Sequence, residues 1–200
     1  MAIFSETYIE GATNTQIIDF LTTLDNRIIK TDDTTVNIDG KFTLSINANL
    51  LCSITVNGVA HDGVSISRTD GVYVKSVIGE NVIILRLADF YYRNQNQVAY
   101  ITDETNYFGG IVSNSANILD VKFYRCSDGA GVYYLKQLIA FTPYEGSICY
   151  SSVAICNNGS SIFKIKGILS CSTVTLYSTL YFNGKTYVAI GTNHLVEISQ

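Results

Sequence analysis

The chain has 200 residues, of which 47% are hydrophobic and 15% are charged, and its formal net charge is −4. The charged fraction lies well below the roughly 25% of an average soluble protein, so we expect neighbouring subunits to cover part of the surface. The negative charge and the scattered basic residues argue against nucleic-acid binding, because phosphate contacts depend on clustered Lys and Arg.

The first predicted element is a helix from Thr13 to Lys30. Its apolar residues recur at spacings of four, three and four, which places them on one helix face. They are Ile17, Leu21, Leu24 and Ile28, here called the helix seam. Thr13 and Gln16 match a capping box. An isolated helix of this length is only marginally stable, so we predict that the seam is an interface, docked on the chain's own sheet or on symmetry mates in an oligomer.

Residues 31–40 are rich in Asp and Thr, which favour turns, so they are predicted to be a linker. The predicted organisation is therefore an N-terminal unit, residues 1–40, followed by a β domain, residues 41–200. The N-terminal unit comprises a lead-in, the helix and the linker, and its predicted role is docking and oligomerisation.

Strand patterns dominate after residue 40, as where Phe42, Leu44 and Ile46 alternate with polar residues. Asn-Gly and Asp-Gly pairs, which favour tight turns, lie between such runs. There are seven, at 39/40, 57/58, 62/63, 70/71, 128/129, 158/159 and 183/184. This pattern predicts a mainly β fold, an antiparallel β-sandwich or jelly-roll-like or barrel domain with one N-terminal amphipathic helix.

The last predicted hairpin turns at Asn183-Gly184. A three-residue loop with a bulge would place Phe182 opposite Thr186 and keep the apolar residues on one face, so we predict it in preference to a two-residue turn. Three tyrosines then share the other face. They are Tyr177, Tyr181 and Tyr187, here called the tyrosine stripe, and they form either a subunit contact, which we favour, or a second core face. A similar change of alternation predicts a bulge or bend at residues 151–152.

Catalytic chemistry has little support in the sequence. The two histidines, His61 in a His-Asp-Gly turn and His194 before the last strand, are expected to be turn and strand-edge residues. The five cysteines form no CxxC pair and are expected to be buried thiols. No catalytic residue, metal site or cofactor is predicted, and the protein is not expected to be an enzyme. No apolar run is long enough to span a membrane, and no secretory signal is evident.

One segment carries groups that suit sugar binding, because aromatic faces and planar amides lie together there. The possible glycan contacts are Tyr91, Tyr92, Arg93, Asn94 and Asn96. The alternative is an edge strand that runs into a polar loop.

The two ends of the chain, TQIIDFLTTLDNRIIK and LYFNGKTYVAIGTNHLVEIS, resemble structural proteins of tailed bacteriophages, such as fibre, collar, decoration and baseplate components. In such proteins an N-terminal segment commonly attaches to the particle and a β-rich part is displayed, often as a trimer. The resemblance implies a homo-oligomer, most simply a trimer, that contacts other virion proteins after folding in the host cytoplasm. The leading hypothesis is thus a non-enzymatic virion protein. The alternatives are a carbohydrate- or receptor-binding module and, last, a small β-fold hydrolase.

Overall fold

The structure of the protein is a computed structural model. It describes residues 3–48, 51–65, 71–88, 95–102, 105, 107–112, 124–127, 134–137, 140–144, 147–150, 153–157, 161–164, 167–171, 174–175, 177–189 and 194–198.

These residues form one helix, α1 (Asn14–Thr22), and twenty strands. The strands are β1 (Ile3–Glu10), β2 (Ile28–Asp32), β3 (Thr35–Ile38), β4 (Phe42–Ile46), β5 (Leu51–Val56), β6 (Val59–Ser65), β7 (Gly71–Ile78), β8 (Val82–Ala88), β9 (Gln95–Thr102), β10 (Tyr107–Val112), β11 (Tyr124–Arg125), β12 (Tyr134–Gln137), β13 (Ala140–Tyr144), β14 (Ser147–Tyr150), β15 (Val153–Asn157), β16 (Ser161–Lys164), β17 (Ile168–Cys171), β18 (Thr179–Phe182), β19 (Lys185–Ala189) and β20 (His194–Glu197). Within this part of the chain, no helix has the length and apolar character needed to cross a membrane.

The strands pair into four antiparallel sheets. The central sheet has the order β1-β7-β8-β9-β10-β11, and the helix-side sheet has the order β2-β3-β4-β5-β6. The C-terminal sheet has the order β13-β14-β17-β20-β19-β18, and a three-stranded sheet has the order β12-β15-β16. The predicted mainly β, antiparallel fold with one helix is confirmed. Three of the sheets form a sandwich-like arrangement that is not a closed barrel, so the barrel alternative is not the one adopted.

The start of α1 follows the prediction. The Thr13 backbone N–H donates to Gln16 Oε1 at 2.8 Å, and the Gln16 N–H donates to Thr13 Oγ1 at 3.3 Å. The capping box is therefore present and satisfies two backbone donors that the first helical turn leaves without partners.

The end of α1 differs from the prediction, because the helix stops at Thr22 instead of Lys30. The hydroxyls of Thr22 and Thr23 donate to the carbonyls of Asp19 and Phe20, each at 2.7 Å. These local bonds satisfy carbonyls of the last turn and compete with further helix. The 3.6-residue pattern ran on into Ile28 because the residue that begins β2 is also buried.

The predicted linker, residues 31–40, is also wrong. It contains the end of β2 and all of β3, in which Val36 and Ile38 are fully buried while the residues between them are only partly buried. The β3–β4 and β1–β7 pairings both cross the boundary predicted after residue 40. Backbone hydrogen bonding thus joins the first forty residues to the strands that follow them.

One core lies between the central sheet and the layer formed by α1 and the helix-side sheet. Its largest fully buried side chains include Ile17, Ile18, Leu21, Ile38, Leu44, Ile46, Ile54 and Tyr100. Three of the four helix-seam residues are buried in this core, and the fourth, Leu24, packs against it. The seam is therefore docked on the chain's own sheets, which is the first of the two predicted alternatives, and the assignment of its residues to an oligomer interface is corrected.

The other face of the central sheet is buried as well. Side chains of β8 alternate between the two faces of the central sheet. Those that point away from the first core, Val82, Ile84 and Arg86, are buried too. The Arg86 guanidinium lies 5.0 Å from the centre of the Tyr177 ring, and Tyr177 stacks on Phe4 of β1 at 6.1 Å. These contacts bring the segment that precedes β18 onto the central sheet. Burial lowers the pKa of Arg86 to about 10, so the buried group stays charged at neutral pH.

A charged clamp ties the turn before β2 to the β7–β8 turn. Arg27 donates to both carboxylate oxygens of Asp25, at 2.9 and 3.1 Å, and to the carbonyls of Gly79 and Glu80, at 2.8 and 3.1 Å. Burial raises the pKa of Asp25, but hydrogen bonds and charge attraction from Arg27 outweigh it, so the net pKa is lowered.

Leu21→Ala tests the position of the helix seam. Because Leu21 is fully buried, its truncation removes apolar contacts and leaves a cavity, and we expect the free energy of unfolding to fall by about 2–5 kcal/mol. Leu24→Ala, at a partly buried seam position, is the matched control and should cost less. Urea denaturation measures both. Unchanged stability with a loss of oligomers in Leu21→Ala would contradict the structure.

The clamp predicts a specific acid sensitivity. The pKa of Asp25 is lower in the folded protein than in the unfolded chain, where it is about 3.9. The ionised carboxylate therefore stabilises the fold at pH values above the unfolded pKa, and this stabilisation is lost as the pH falls through the folded pKa. Asp25→Asn should lower the free energy of unfolding at neutral pH and flatten its decline in acid. Asp33→Asn, which removes an exposed partner of Lys30, is the control, and its effect should be small. Parallel acid declines for wild type and Asp25→Asn would refute this assignment.

Candidate functional site

A group of chemically capable side chains lies between the central and helix-side sheets. Three stacked rings, Phe42 of β4, Tyr100 of β9 and Tyr107 of β10, form what is here called the aromatic cluster. The ring centres of Phe42 and Tyr100 are 5.9 Å apart, and those of Tyr100 and Tyr107 are 6.1 Å apart. Ring pairs at such distances add to the energy of burial.

A glycine makes room for this cluster. A Cβ atom on Gly109 of β10 would lie 2.9 Å from Cδ1 of Phe42, which is closer than real side chains approach. Gly109 lies opposite Tyr100 in the β9–β10 ladder, so the Phe42 ring covers the backbone beside the Tyr100 ring. The two sheets approach this closely because position 109 has no side chain.

Asp39 supplies the polar partner of the cluster. It occupies the β3–β4 turn with φ of +54°, which Asp tolerates better than most residues, and its N–H donates to the Arg27 carbonyl at 2.7 Å. Its carboxylate accepts a hydrogen bond from the Tyr100 hydroxyl. Burial and this carboxylate raise the pKa of Tyr100, so its phenol remains protonated.

Lys41 and Cys126 complete the surroundings of the cluster. The Lys41 ammonium lies 4.4 Å from the centre of the Tyr107 ring, and the Cys126 N–H donates to the Tyr107 carbonyl at 2.6 Å. Burial raises the pKa of the Cys126 thiol to about 12, with Lys41 lowering it and Asp39 raising it. A thiol that stays protonated is a poor nucleophile, so the Cys126 side chain has a packing role in the core.

The cluster was not predicted from the sequence. Asp39 and Tyr100 are 61 residues apart, and neither belongs to a motif with a fixed spacing. The sequence predicted the Asp39-Gly40 turn and the strand that contains Phe42. Only the packing of the helix-side sheet on the central sheet brings these residues to Tyr100.

His61 was predicted to lie in a turn and instead lies within β6, where its ring stacks on Tyr124 with centres 3.4 Å apart. The neighbouring pair Asp62-Gly63 is likewise inside the strand, next to a shift in the β5–β6 register, so the turn predicted there is wrong. A Gly-containing pair suits an irregular strand as well as a turn.

His194 begins β20, at the strand edge predicted for it. Of the other predicted turns, Asp39-Gly40, Asn57-Gly58 and Asn183-Gly184 join consecutive strands.

The C-terminal hairpin has a two-residue turn, so the predicted three-residue loop with a bulge is wrong. Phe182 lies opposite Lys185, and Asn183 and Gly184 form a two-residue turn with φ of +50° and +76°. The three-residue loop was predicted because it would keep the apolar residues of the hairpin on one face. Tyr187 and Val188, which point to opposite faces, are both buried, so mixing of the faces carries no penalty.

The tyrosine stripe is therefore divided. Tyr187 is buried in a small core with Ala189 and Leu195, and Tyr177 packs on the central sheet. Tyr181 lies on the opposite face of the hairpin from Tyr187 and is 63% exposed. Of the three, only Tyr181 is an exposed surface residue, and the prediction that they share one face is wrong.

Tyr181 belongs to an edge of the fold. We use the name edge hairpin for β18, β19 and their turn, because β18 is the last strand of the C-terminal sheet among the described residues. Leu180 and Phe182 of this strand pack partly against the small core behind it. The four residues of β18 carry no charge. The charges nearby are those of Lys185 in β19 and Glu197 in β20, which form an ion pair at 2.8 Å.

The possible glycan contacts stay a prediction. Tyr91, Tyr92, Arg93 and Asn94 lie outside the described residues, and Asn96 lies in β9 with Leu87 as its partner in the ladder. The bulge or bend predicted at residues 151–152 is outside them too, although the strands on either side, β14 and β15, belong to different sheets. In the part of the chain that is described, no three His, Cys, Asp or Glu side chains are grouped to hold a metal ion.

Compared with known proteins, the chain matches no family model, no curated protein and no solved structure.

Gly109→Ala tests the close approach at the aromatic cluster. The added methyl group collides with a buried ring, and we expect the free energy of unfolding to fall by about 1–3 kcal/mol. Gly79→Ala is the matched control, because its nearest contact is 3.4 Å and its backbone is not left-handed. Combining Gly109→Ala with Phe42→Leu should recover part of the loss in thermal or urea unfolding. Equal costs for the two alanine variants would show that Phe42 is not the obstacle.

Proposed function

We propose that this protein is a non-enzymatic structural component of a tailed-bacteriophage particle and that it self-associates through the edge hairpin. The single observation that carries the proposed self-association is the exposure of Tyr181 on an uncharged edge strand. The proposed origin in a phage particle rests on the resemblance of the two chain ends to phage structural proteins.

Edge strands of soluble proteins usually carry features that prevent pairing with another chain, such as Lys, Pro or a bulge. The four residues of β18 contain none of these, and their ladder with β19 is regular. Tyr is enriched at protein interfaces because it combines a large apolar area with a polar end. An exposed Tyr on an unprotected edge is therefore well suited to contact another subunit.

The chemistry of the aromatic cluster supports the non-enzymatic part of the proposal. Burial and the hydrogen bond to Asp39 raise the pKa of Tyr100, and burial raises the pKa of the Cys126 thiol. Lys41 lies over a ring. Each of these groups has a packing partner that accounts for its position, so no activated nucleophile or base is needed to explain the arrangement.

The proposed contact differs from the one expected from the helix. The seam residues are inside the fold, so attachment through the N-terminal segment would have to use other parts of it. We accordingly assign self-association to the edge hairpin and leave contacts with other virion proteins to the remaining surface.

Tyr181→Ser tests the proposal. Light scattering on the purified protein at micromolar concentration should show an oligomer, a trimer on the phage analogy, and Tyr181→Ser should weaken assembly at least several-fold because an interfacial Tyr contributes strongly. Tyr8→Ser is the matched control, since Tyr8 is also exposed but lies on the edge of the central sheet.

A monomeric wild type, or equal losses in the two variants, would overturn the assignment of the interface. Circular dichroism should show both variants folded. The phage origin is tested separately by the neighbouring genes, which should encode other particle proteins.

A further inference from the structure

Two exposed Asn-Gly turns have almost the same backbone. Asn57 and Gly58, between β5 and β6, have φ of +48° and +74°. Asn183 and Gly184, in the edge hairpin, have φ of +50° and +76°. Nothing lies within 4 Å of a Cβ atom built on either glycine, so neither turn is crowded.

The two asparagine side chains differ in their contacts. The Asn57 Nδ2 donates to the Ser127 carbonyl at 3.1 Å, which fixes its amide against a distant part of the chain. The Asn183 amide makes no hydrogen bond to any residue that the structure describes, and the residue is exposed at the hairpin tip. Among the described residues, the asparagine side chain is therefore held by a hydrogen bond in the first turn and by none in the second.

We propose that Asn183 is a site of spontaneous deamidation and that Asn57 is protected from it. The Gly184 backbone nitrogen loses its proton and forms a bond to Cγ of Asn183, and the side-chain nitrogen leaves as ammonia. Water then opens the resulting succinimide. Attack at Cγ gives Asp, and attack at the backbone carbonyl carbon gives isoaspartate. Water is the only co-reactant, and no oxidation or reduction takes place.

The contact with Ser127 decides between the sites because cyclisation requires the side chain to rotate until Cγ reaches the next backbone nitrogen. At Asn57 this rotation breaks a hydrogen bond that links β5–β6 to residue 127. At Asn183 the rotation breaks no such bond to the described part of the chain. Glycine at the following position leaves the attacking nitrogen unhindered in both turns.

The modification changes the edge hairpin. A carboxylate replaces a neutral amide at its tip, two residues from Lys185, and isoaspartate also lengthens the backbone within a two-residue turn. Such turns fix the register of their strands, so the pairing of β18 with β19 would change where isoaspartate forms. This inference does not rest on the proposed function.

Peptide mapping by mass spectrometry tests the proposal. The full chain is incubated at physiological temperature in mildly alkaline buffer, with a mildly acidic sample as the reference, because the attacking nitrogen must lose a proton. We expect several-fold more conversion at Asn183 than at Asn57. In concentrated urea the two sites should convert at similar rates, since the fold no longer holds Asn57. Asn183→Gln should abolish the modified hairpin peptide.

Each other outcome overturns the inference. Native conversion at Asn57 equal to that at Asn183 would show that the Ser127 contact does not protect. Conversion at both sites in urea but at neither in the native protein would show that the hairpin turn itself prevents cyclisation. Asn158-Gly159 lies outside the described residues, and its peptide is quantified separately.

Discussion

The whole architecture depends on the burial of both faces of β8. In a sheet with one exposed face, apolar and polar residues alternate, but here Val82, Ile83, Ile84 and Leu85 are all buried. Such a strand is stable only if a layer of structure covers each face of its sheet. The helix-side sheet with α1 covers one face, and contacts from the C-terminal part of the chain lie on the other. This requirement accounts for the two layers that pack on the central sheet.

The fate of the helix is one such consequence. The seam of α1 is buried in the core that it shares with the helix-side and central sheets, so it is used inside the monomer. The polar connections at this layer are specific: Arg27 joins Asp25 to the β7–β8 turn, and Asp39 joins its own turn to Tyr100 of the central sheet. Apolar burial drives the two layers together, whereas these bonds fix how one layer sits on the other.

Patterns within a single element were predictable from the sequence, and contacts between elements were not. The capping box at Thr13 depends on residues three apart, and the alternation through Phe42 depends on residues two apart. The predicted register of the last hairpin was wrong because it placed the apolar residues on one face, whereas Tyr187 and Val188 are buried on opposite faces of β19. The end of α1 failed because Ile28 satisfies the helical spacing while being buried as the first residue of a strand. The aromatic cluster could not be inferred at all, since Asp39 and Tyr100 meet only through sheet packing.

The same use of apolar surface limits how the protein can assemble. With the seam inside the fold, the C-terminal sheet has two edges among the described residues, β13 and β18, and exposed and half-buried residues alternate along β18. Pairing of β18 with β18 of another copy would be self-complementary and would produce a two-fold dimer. A trimer needs two different surfaces on each subunit, so Tyr181 would then contact a surface other than its own counterpart. The number of subunits therefore distinguishes strand pairing at this edge from a side-chain contact made by Tyr181.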